Sequence, residues 1–315
     1  MHMKRILFLD SNHPVMLEML RAAGFQCDEA YELPKAEVEK RMPGYAGVVI
    51  RSRFKLDAAF IDASPDLKCI ARAGAGMENI DVDYAEARGI KCVHAPEGNR
   101  DAVGEQALGM LLALMNNLAR ANREVREGKW IREGNRGYEL GGKTVGIIGF
   151  GNMGSAFAQR LSGFGVRVLA YDKYKADFGN DLVEEASLQQ IFDEADVLSL
   201  HIPLTAETNY FVNDEFLSSF RKPIWLINTA RGKVLDTAAL VKHLQSGKVI
   251  GACLDVLEYE KVSFEAIDAT TLPAPMQYLI ASDNVLLTPH IAGWTFESHE
   301  KIGKVLASKM IEALR

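Results

Sequence analysis

The stretch KTVGIIGFGNMGSAFAQRLSGFGVRVLAYD, residues 143–172, constrains the fold of this 315-residue chain more than any other. Residues 145–148 form an apolar run typical of a buried strand, which leads directly into GFGNMG. A helical pattern follows, and a second apolar run ends at Asp172. The stretch therefore predicts a strand-helix-strand unit of a parallel sheet.

The glycine spacing predicts a particular ligand for this unit. Gly149 permits a tight turn, a side chain at Gly151 would collide with a bound pyrophosphate, and Gly154 lets the helix approach the strand. The helix then begins near Asn152 and Met153, where free N–H groups and the positive end of the helix dipole favour phosphate. We interpret the motif as a dinucleotide-binding loop.

The residue that ends the second strand indicates which dinucleotide is bound. Asp172 follows the last glycine by 18 residues, where a carboxylate can accept hydrogen bonds from both ribose hydroxyls. It should repel a 2′-phosphate, so we predict NAD rather than NADP. Lys173 and Lys175 could soften that repulsion; we interpret both as solvated.

Apolar runs alternate with helical patterns along the whole chain, which predicts an α/β fold with two doubly wound parallel-sheet domains. The boundary between the domains is expected near Pro96 and Gly98. A long helix is predicted from about Arg100 to Asn117, and we expect it to bridge the two domains.

Composition excludes several classes of function. The formal charge is −6 without a block of basic residues, so nucleic acid is not an expected partner. The most apolar later stretch, ALGMLLALMNNLA, is shorter than the ~20 residues needed to cross a bilayer. The four cysteines are scattered without a CxxC motif, which favours reduced thiols in a cytoplasmic protein. No histidine spacing indicates a metal site.

Charged residues follow three predicted strands of the second half. Arg231 comes after IWLINTA, Asp255, Glu258 and Glu260 come after VIGACL, and His290 comes after NVLLTP. Because ligands bind beyond the carboxyl ends of the strands in such sheets, these side chains are expected at one edge.

An arginine, a carboxylate and a histidine together suit hydride transfer at a carbonyl. A histidine can move the proton of the carbonyl oxygen in either direction. A neighbouring glutamate orients the ring and favours its charged form, and an arginine holds an α-keto carboxylate by paired hydrogen bonds.

Five ordered motifs resemble those of the D-isomer-specific 2-hydroxyacid dehydrogenases: GFGNMG, HIPLTAETNYFVN, LINTARGKVLDTAAL, GACLDVLEYE and NVLLTPHIAG. The resemblance extends to RAGAGMENIDV in the first half. It implies a catalytic trio of Arg231, Glu260 and His290. Glu260 is the match because it stands five residues after Asp255, and we interpret Glu258 as a solvated charge.

The resemblance also implies roles in binding. Residues expected along the cofactor, beyond the glycine loop, are His201, Pro203, Thr229, Ala230 and Asp255. The substrate carboxylate is expected at backbone N–H groups of the loop AGAG at residues 73–76, with Ala75 and Gly76 as contacts and Asn99 nearby.

Domain organisation follows from the same resemblance. Residues 1–98 and 289–315 are expected to form a discontinuous, flavodoxin-like substrate domain, into which a Rossmann-type domain of residues 99–288 is inserted. No regulatory domain is expected after Arg315, and a homodimer is expected. Lys261 replaces the usual proline, and residues 261–283 depart from the family pattern.

The cations after an early strand bear on the substrate. Arg51, Ser52 and Arg53 lie where the family has its substrate loop, and they would suit a phosphorylated acid such as 3-phosphoglycerate. Surface charge is the alternative interpretation of these residues. The family resemblance itself favours a phosphoglycerate dehydrogenase-like enzyme. A glyoxylate/hydroxypyruvate reductase is the alternative, and an NAD(H)-sensing, corepressor-like binding protein is the alternative of another class.

Overall fold

The computed structural model describes residues 3–260 and 272–315. Within it the chain forms two compact units: unit 1 contains residues 1–100 and 293–315, and unit 2 contains residues 101–292. The predicted divisions after residues 98 and 288 fall two and four residues before these. Residues 261–271, where the sequence departs from the family pattern, lie outside the described part.

Twelve strands and twelve α-helices are described. The strands are β1 (Arg5–Phe8), β2 (Gln26–Glu29), β3 (Tyr45–Ile50), β4 (Cys69–Arg72), β5 (Lys91–His94), β6 (Thr144–Ile148), β7 (Arg167–Tyr171), β8 (Glu184–Glu185), β9 (Val197–Leu200), β10 (Ile224–Asn228), β11 (Val249–Leu254) and β12 (Val285–Leu287). The helices are α1 (Pro14–Ala22), α2 (Lys35–Arg41), α3 (Ala58–Asp62), α4 (Val82–Ala87), α5 (Pro96–Met115), α6 (Leu118–Arg126), α7 (Asn152–Arg160), α8 (Leu188–Glu194), α9 (Asp214–Ser218), α10 (Thr237–Gln245), α11 (Ala274–Ala281) and α12 (Phe296–Leu314).

Unit 1 is built on a parallel five-stranded sheet in the order β2-β1-β3-β4-β5, which is the flavodoxin-like order. The C-terminal helix α12 covers one face, because its Leu306 and Met310 belong to the same buried cluster as Ile6 and Phe8 of β1. A capping box at Thr295 begins that helix by satisfying its first N–H groups.

Unit 2 is built on a parallel seven-stranded sheet in the order β12-β11-β10-β9-β6-β7-β8. Counted from β6, this is the 3-2-1-4-5-6 order of dinucleotide-binding sheets with one added strand. The chain reverses its direction of strand addition between β6 and β9, and ligands bind at such a switch point. The predicted α/β class with two parallel-sheet domains is confirmed.

The predicted long helix needs correction at both ends. Helix α5 begins at Pro96, not near Arg100, because proline is preorganised for the first turn of a helix and loses no hydrogen bond there. It ends at Met115, and Asn117 adopts a left-handed conformation (φ 54°) before α6 begins. Among the described residues, no helix is both long and apolar enough to cross a membrane.

Candidate active site

The glycine loop after β6 has the geometry that its spacing predicts. Gly149 has φ +92°, and a Cβ there would lie 2.7 Å from the carbonyl oxygen of His201. A Cβ at Gly154 would lie 2.1 Å from the carbonyl oxygen of Gly149, so helix α7 can approach β6 only with glycine. A Cβ at Gly151 would meet no described atom within 4 Å, which leaves open space at the N-terminus of α7, where Asn152 and Met153 lie.

Asp172 lies directly after β7, beside the glycine loop. Its Oδ2 accepts a hydrogen bond from the Phe150 N–H at 2.9 Å, and its Oδ1 accepts one from the Tyr174 N–H at 2.9 Å. The two nearby lysines are exposed, as interpreted from the sequence, and each also has a partner: Lys173 pairs with Glu207, and Lys175 Nζ donates to the Phe150 carbonyl at 2.8 Å.

Two buried polar atoms near the ends of β9 and β10 fit a bound nicotinamide cofactor. Thr229 Oγ1 and His201 Nδ1 have no hydrogen-bond partner among the described residues, although buried polar atoms nearly always have one. Desolvation lowers the pKa of His201 to about 3, so its ring is neutral near pH 7. Its Nε2 lies 2.8 Å from Ser199 Oγ.

Pro203 and Ala230, two further residues predicted to lie along the cofactor, form hydrogen bonds within local turns through their backbone. The Pro203 carbonyl accepts a hydrogen bond from Thr208 Oγ1 at 2.6 Å. The Ala230 N–H donates to Asn228 Oδ1 at 3.0 Å, and Asn228 Nδ2 donates to the Arg231 carbonyl at 3.0 Å. The fully buried Asn228 thus fixes the turn that carries Arg231.

His290 and Glu260 form a pair at the carboxyl end of the same sheet. His290 Nδ1 lies 3.2 Å and 3.3 Å from the two carboxylate oxygens of Glu260. Both side chains are about a quarter exposed, so the pair is reachable but partly shielded. The His290 backbone is left-handed, with φ 54°, a conformation that costs energy for a side-chain-bearing residue and that neighbouring contacts must maintain.

Asp255, at the end of β11, supplies those contacts. Its fully buried carboxylate accepts hydrogen bonds from Thr288 Oγ1 (2.6 Å), the Ile291 N–H (2.9 Å) and the Ala292 N–H (2.8 Å). Its carbonyl accepts from the His290 N–H at 2.8 Å. Asp255 therefore holds the turn on both sides of His290. This role could not be predicted from a sequence pattern, since the partners of Asp255 stand more than thirty residues away.

A close backbone contact relates Arg231 to the turn before Glu260. A Cβ at Gly232 would lie 2.1 Å from the carbonyl carbon and oxygen of Leu257, so only glycine fits between the two turns. Glu258 is not a solvated charge as interpreted from sequence: it accepts hydrogen bonds from Tyr210 Oη (2.8 Å) and the Thr237 N–H (3.0 Å).

In unit 1, the loop after β4 is held in place by contacts of its carbonyl groups. Gly74 adopts φ +146°, and its carbonyl accepts from the Ala95 N–H at 2.8 Å. The Ala75 carbonyl lies 2.5 Å from His94 Nδ1, and Gly76 follows in the same loop. Asn99 Oδ1 is buried without a hydrogen-bond partner among the described residues, as expected of a group that binds a ligand.

The cations after β3 have different environments. The Arg53 guanidinium donates to the carbonyls of Leu9, Ala30 and Leu33 at 2.6–3.2 Å, which favours a structural role over the predicted substrate contact. The Arg51 guanidinium lies over the Trp294 ring, 4.9 Å from its centroid.

Arg51 and Trp294 also line a cavity in unit 1. Its other lining residues are Ser11, Asn12, Ala73, Ser298, His299 and Ile302. The Ser52 N–H donates to Asp10 Oδ2 at 3.3 Å, so the backbone of this loop is fixed. Because Ala73 begins the AGAG loop, the cavity adjoins the predicted site of the substrate carboxylate.

Comparison with known proteins agrees with this arrangement. The model of the D-isomer-specific 2-hydroxyacid dehydrogenase family, NAD-binding domain, matches residues 108–292, more than half of the chain. The chain therefore belongs to the D-isomer-specific 2-hydroxyacid dehydrogenases, which are NAD(P)-dependent oxidoreductases.

Three similar proteins from this family carry the names of different activities. A hydroxypyruvate reductase of Thermotoga maritima is 40% identical over 90% of this chain and 89% of that protein. A D-3-phosphoglycerate dehydrogenase of Archaeoglobus fulgidus is 35% identical, and the match covers 94% of this chain but 54% of that protein. The crystal structure of an NADPH-dependent glyoxylate/hydroxypyruvate reductase from Sinorhizobium meliloti, in complex with NADP and malonate, superposes with a TM-score of 0.80 at 31% identity, over 98% of this chain and 92% of that one.

Proposed function

We propose that this protein catalyses reversible hydride transfer between NAD(H) and a small 2-keto acid, with His290, Glu260 and Arg231 as the catalytic trio. The observation that carries the proposal is the His290–Glu260 pair at the carboxyl edge of the sheet that carries the glycine loop. In this proposal Nδ1 contacts Glu260, and Nε2 is the ring nitrogen that gives a proton to the substrate carbonyl or takes it back.

The other members of the site bind and orient. Arg231 offers a planar guanidinium that suits the carboxylate of a 2-keto acid. Within unit 1, the AGAG loop, residues 73–76, offers backbone N–H groups that suit a carboxylate, and Asn99 offers an amide. The nicotinamide cofactor, when bound, supplies or accepts the hydride. Thr229 Oγ1 and His201 Nδ1, which have no hydrogen-bond partner within the described part of the chain, would contact the cofactor.

The contacts after β7 support NAD as the cofactor. Discrimination against NADP requires a carboxylate near the ribose and no cation free to bind the 2′-phosphate. Asp172 supplies the carboxylate, while Lys173 and Lys175 are engaged by Glu207 and the Phe150 carbonyl.

For the substrate we propose hydroxypyruvate, with its phosphorylated analogue as the second candidate. Arg53, one of the two arginines predicted to suit a phosphate, donates hydrogen bonds to three backbone carbonyls. The hydroxypyruvate reductase of Thermotoga maritima also matches this chain at higher identity than the phosphoglycerate dehydrogenase reported above. Arg51 favours the second candidate, because its guanidinium forms no ion pair with a carboxylate among the described residues and lines the cavity.

A panel of acids tests both candidates. We expect purified protein with NADH to reduce hydroxypyruvate faster than glyoxylate, pyruvate or phosphohydroxypyruvate, measured as loss of nicotinamide absorbance. Arg51→Gln should change kcat/KM for hydroxypyruvate by less than about tenfold, because a neutral hydroxyl does not need a full positive charge. Lys55→Gln, an exposed cation of the same loop, is the matched control.

The opposite result identifies the second candidate. If phosphohydroxypyruvate is preferred and Arg51→Gln removes that preference while glyoxylate reduction persists, the substrate is the phosphorylated acid. Tight NADH binding without reduction of any acid would contradict the dehydrogenase proposal itself and would favour a binding role.

We further propose a homodimer formed through an exposed apolar surface of unit 2. This surface consists of Leu118, Val125, Trp130, Ile131 and Tyr138, each between 46% and 80% exposed. Helix α6 has no buried residue among its nine, so its apolar side chains contribute little to the core of unit 2. Exposed apolar side chains grouped within one segment of the chain favour an association site.

The proposed dimer is tested by measuring the molecular mass of the protein in solution. Light scattering should give twice the chain mass of 34.8 kDa for the native protein and the monomer mass for a Val125→Lys, Trp130→Glu variant. Tyr174→Ser, which removes an exposed aromatic ring elsewhere, should remain dimeric. A monomeric native protein at micromolar concentration would contradict the proposal.

A further inference from the structure

Glu207 connects two segments on either side of the glycine loop. It lies between β9 and α9, and it forms an ion pair with Lys173, which follows β7. Its Oε2 also accepts a hydrogen bond from Tyr174 Oη at 2.7 Å. Strands β7 and β9 flank β6 in the sheet, so one carboxylate links the two walls of the switch-point crevice in which dinucleotides bind.

The two partners of Glu207, Lys173 and Tyr174, are also directly connected to Asp172. The Tyr174 N–H donates to Asp172 Oδ1 at 2.9 Å, and Lys173 is the next residue along the chain. The Lys173 ammonium also lies 5.7 Å from the centroid of the Tyr174 ring. Glu207 thus fixes both residues of the turn that immediately follows the carboxylate predicted to bind the ribose.

The charge balance of this turn depends on Glu207. Asp172 and Glu207 offset Lys173 and Lys175, so the four side chains sum to zero near pH 7. Without Glu207 the sum becomes positive, and Lys173 would be released beside Asp172, where a 2′-phosphate of NADP would lie. Since that phosphate is a dianion, the released ammonium would attract it.

We propose that Glu207 selects NAD(H) against NADP(H) by holding Lys173 and Tyr174 away from the ribose. The inference rests on the proposed NAD-dependent function and adds a specificity-determining residue outside the glycine motif. Lys173 and Glu207 are each about half exposed, so the selection is moderate and decreases with ionic strength.

The test compares Glu207→Gln with native protein. The dissociation constants of NADH and NADPH are measured by fluorescence titration without substrate, and kcat/KM for both is measured with one 2-keto acid. We expect the NADPH:NADH preference to rise about tenfold in Glu207→Gln and to fall back towards the native value in 0.5 M salt, because the released charge acts through solvent.

A matched control variant removes an ion pair at the other end of β7. Arg167 begins β7 and pairs with Glu194 as well as Glu184, so Glu194→Gln loses an exposed ion pair far along the strand from Asp172. Its cofactor preference should equal that of native protein. Lys173→Gln added to Glu207→Gln should remove the gain.

The outcomes separate this inference from the proposed function. An unchanged preference in Glu207→Gln, or a gain that survives the loss of Lys173, would overturn the role of Glu207 while NADH binding and turnover stand. If native protein binds neither dinucleotide, the proposed function fails and this inference fails with it.

Discussion

Replacing His290 by glutamine is expected to lower kcat for 2-keto acid reduction by about 10²–10⁴-fold, the usual contribution of a positioned proton donor. The dissociation constant of NADH should change little, because the glycine loop and Asp172 lie after other strands of the sheet. Glutamine keeps much of the size and polarity of the ring but cannot carry the proton. Single-turnover absorbance and fluorescence titration measure the two effects.

A control histidine separates loss of the donor from general damage. His243 lies on α10, where its Nε2 is 2.9 Å from Asp214, and it has no role in the proposed chemistry. His243→Gln should keep kcat within about threefold of native, since it alters a remote hydrogen bond. Glu260→Gln should lose less activity than His290→Gln, because it removes the orienting carboxylate but leaves the donor. Full activity in His290→Gln would remove this residue from the mechanism.

Asp255→Asn is expected to lower both stability and activity. The carboxylate is fully buried and accepts three hydrogen bonds from the turn around His290, and an amide cannot accept all three. At least one buried donor is left unpaired, which costs about 1–3 kcal/mol of the free energy of unfolding. The turn is then free to relax from the left-handed conformation of His290, so kcat should fall even where the variant remains folded.

Denaturant unfolding and kcat, measured on the same samples, test this role. Asp236→Asn is the matched control, because Asp236 caps helix α10 at its N-terminus and asparagine caps about equally well. Asp236→Asn should therefore change the free energy of unfolding by only a few tenths of a kcal/mol. If Asp255→Asn is as stable and as active as this control, the carboxylate does not hold the turn.

Some parts of the site were predictable because their signals are local. The glycine spacing at 149–154 reflects contacts within one strand-helix turn, such as the 2.1 Å approach of a Gly154 Cβ to Gly149. The alternation of apolar runs and helical patterns reflects burial of each strand on both faces, and it predicted two parallel sheets. The start of α5 was misjudged because Pro96 was taken as a break, although it is the first residue of the helix.

The fold class, the dinucleotide loop and the candidate residues at the strand ends were predictable from the sequence, since each depends on residues near one another in the chain. Which charged groups already have partners within the protein is known from the three-dimensional arrangement alone. Glu258 binds Tyr210 and Thr237, Arg53 binds three carbonyls, and Lys173 pairs with Glu207. These partners come from distant segments brought together by the two sheets, and a spacing along the chain carries no information about them. The chemistry available to a charged side chain depends on those partners, because a group whose hydrogen bonds are satisfied within the protein has less to offer a ligand.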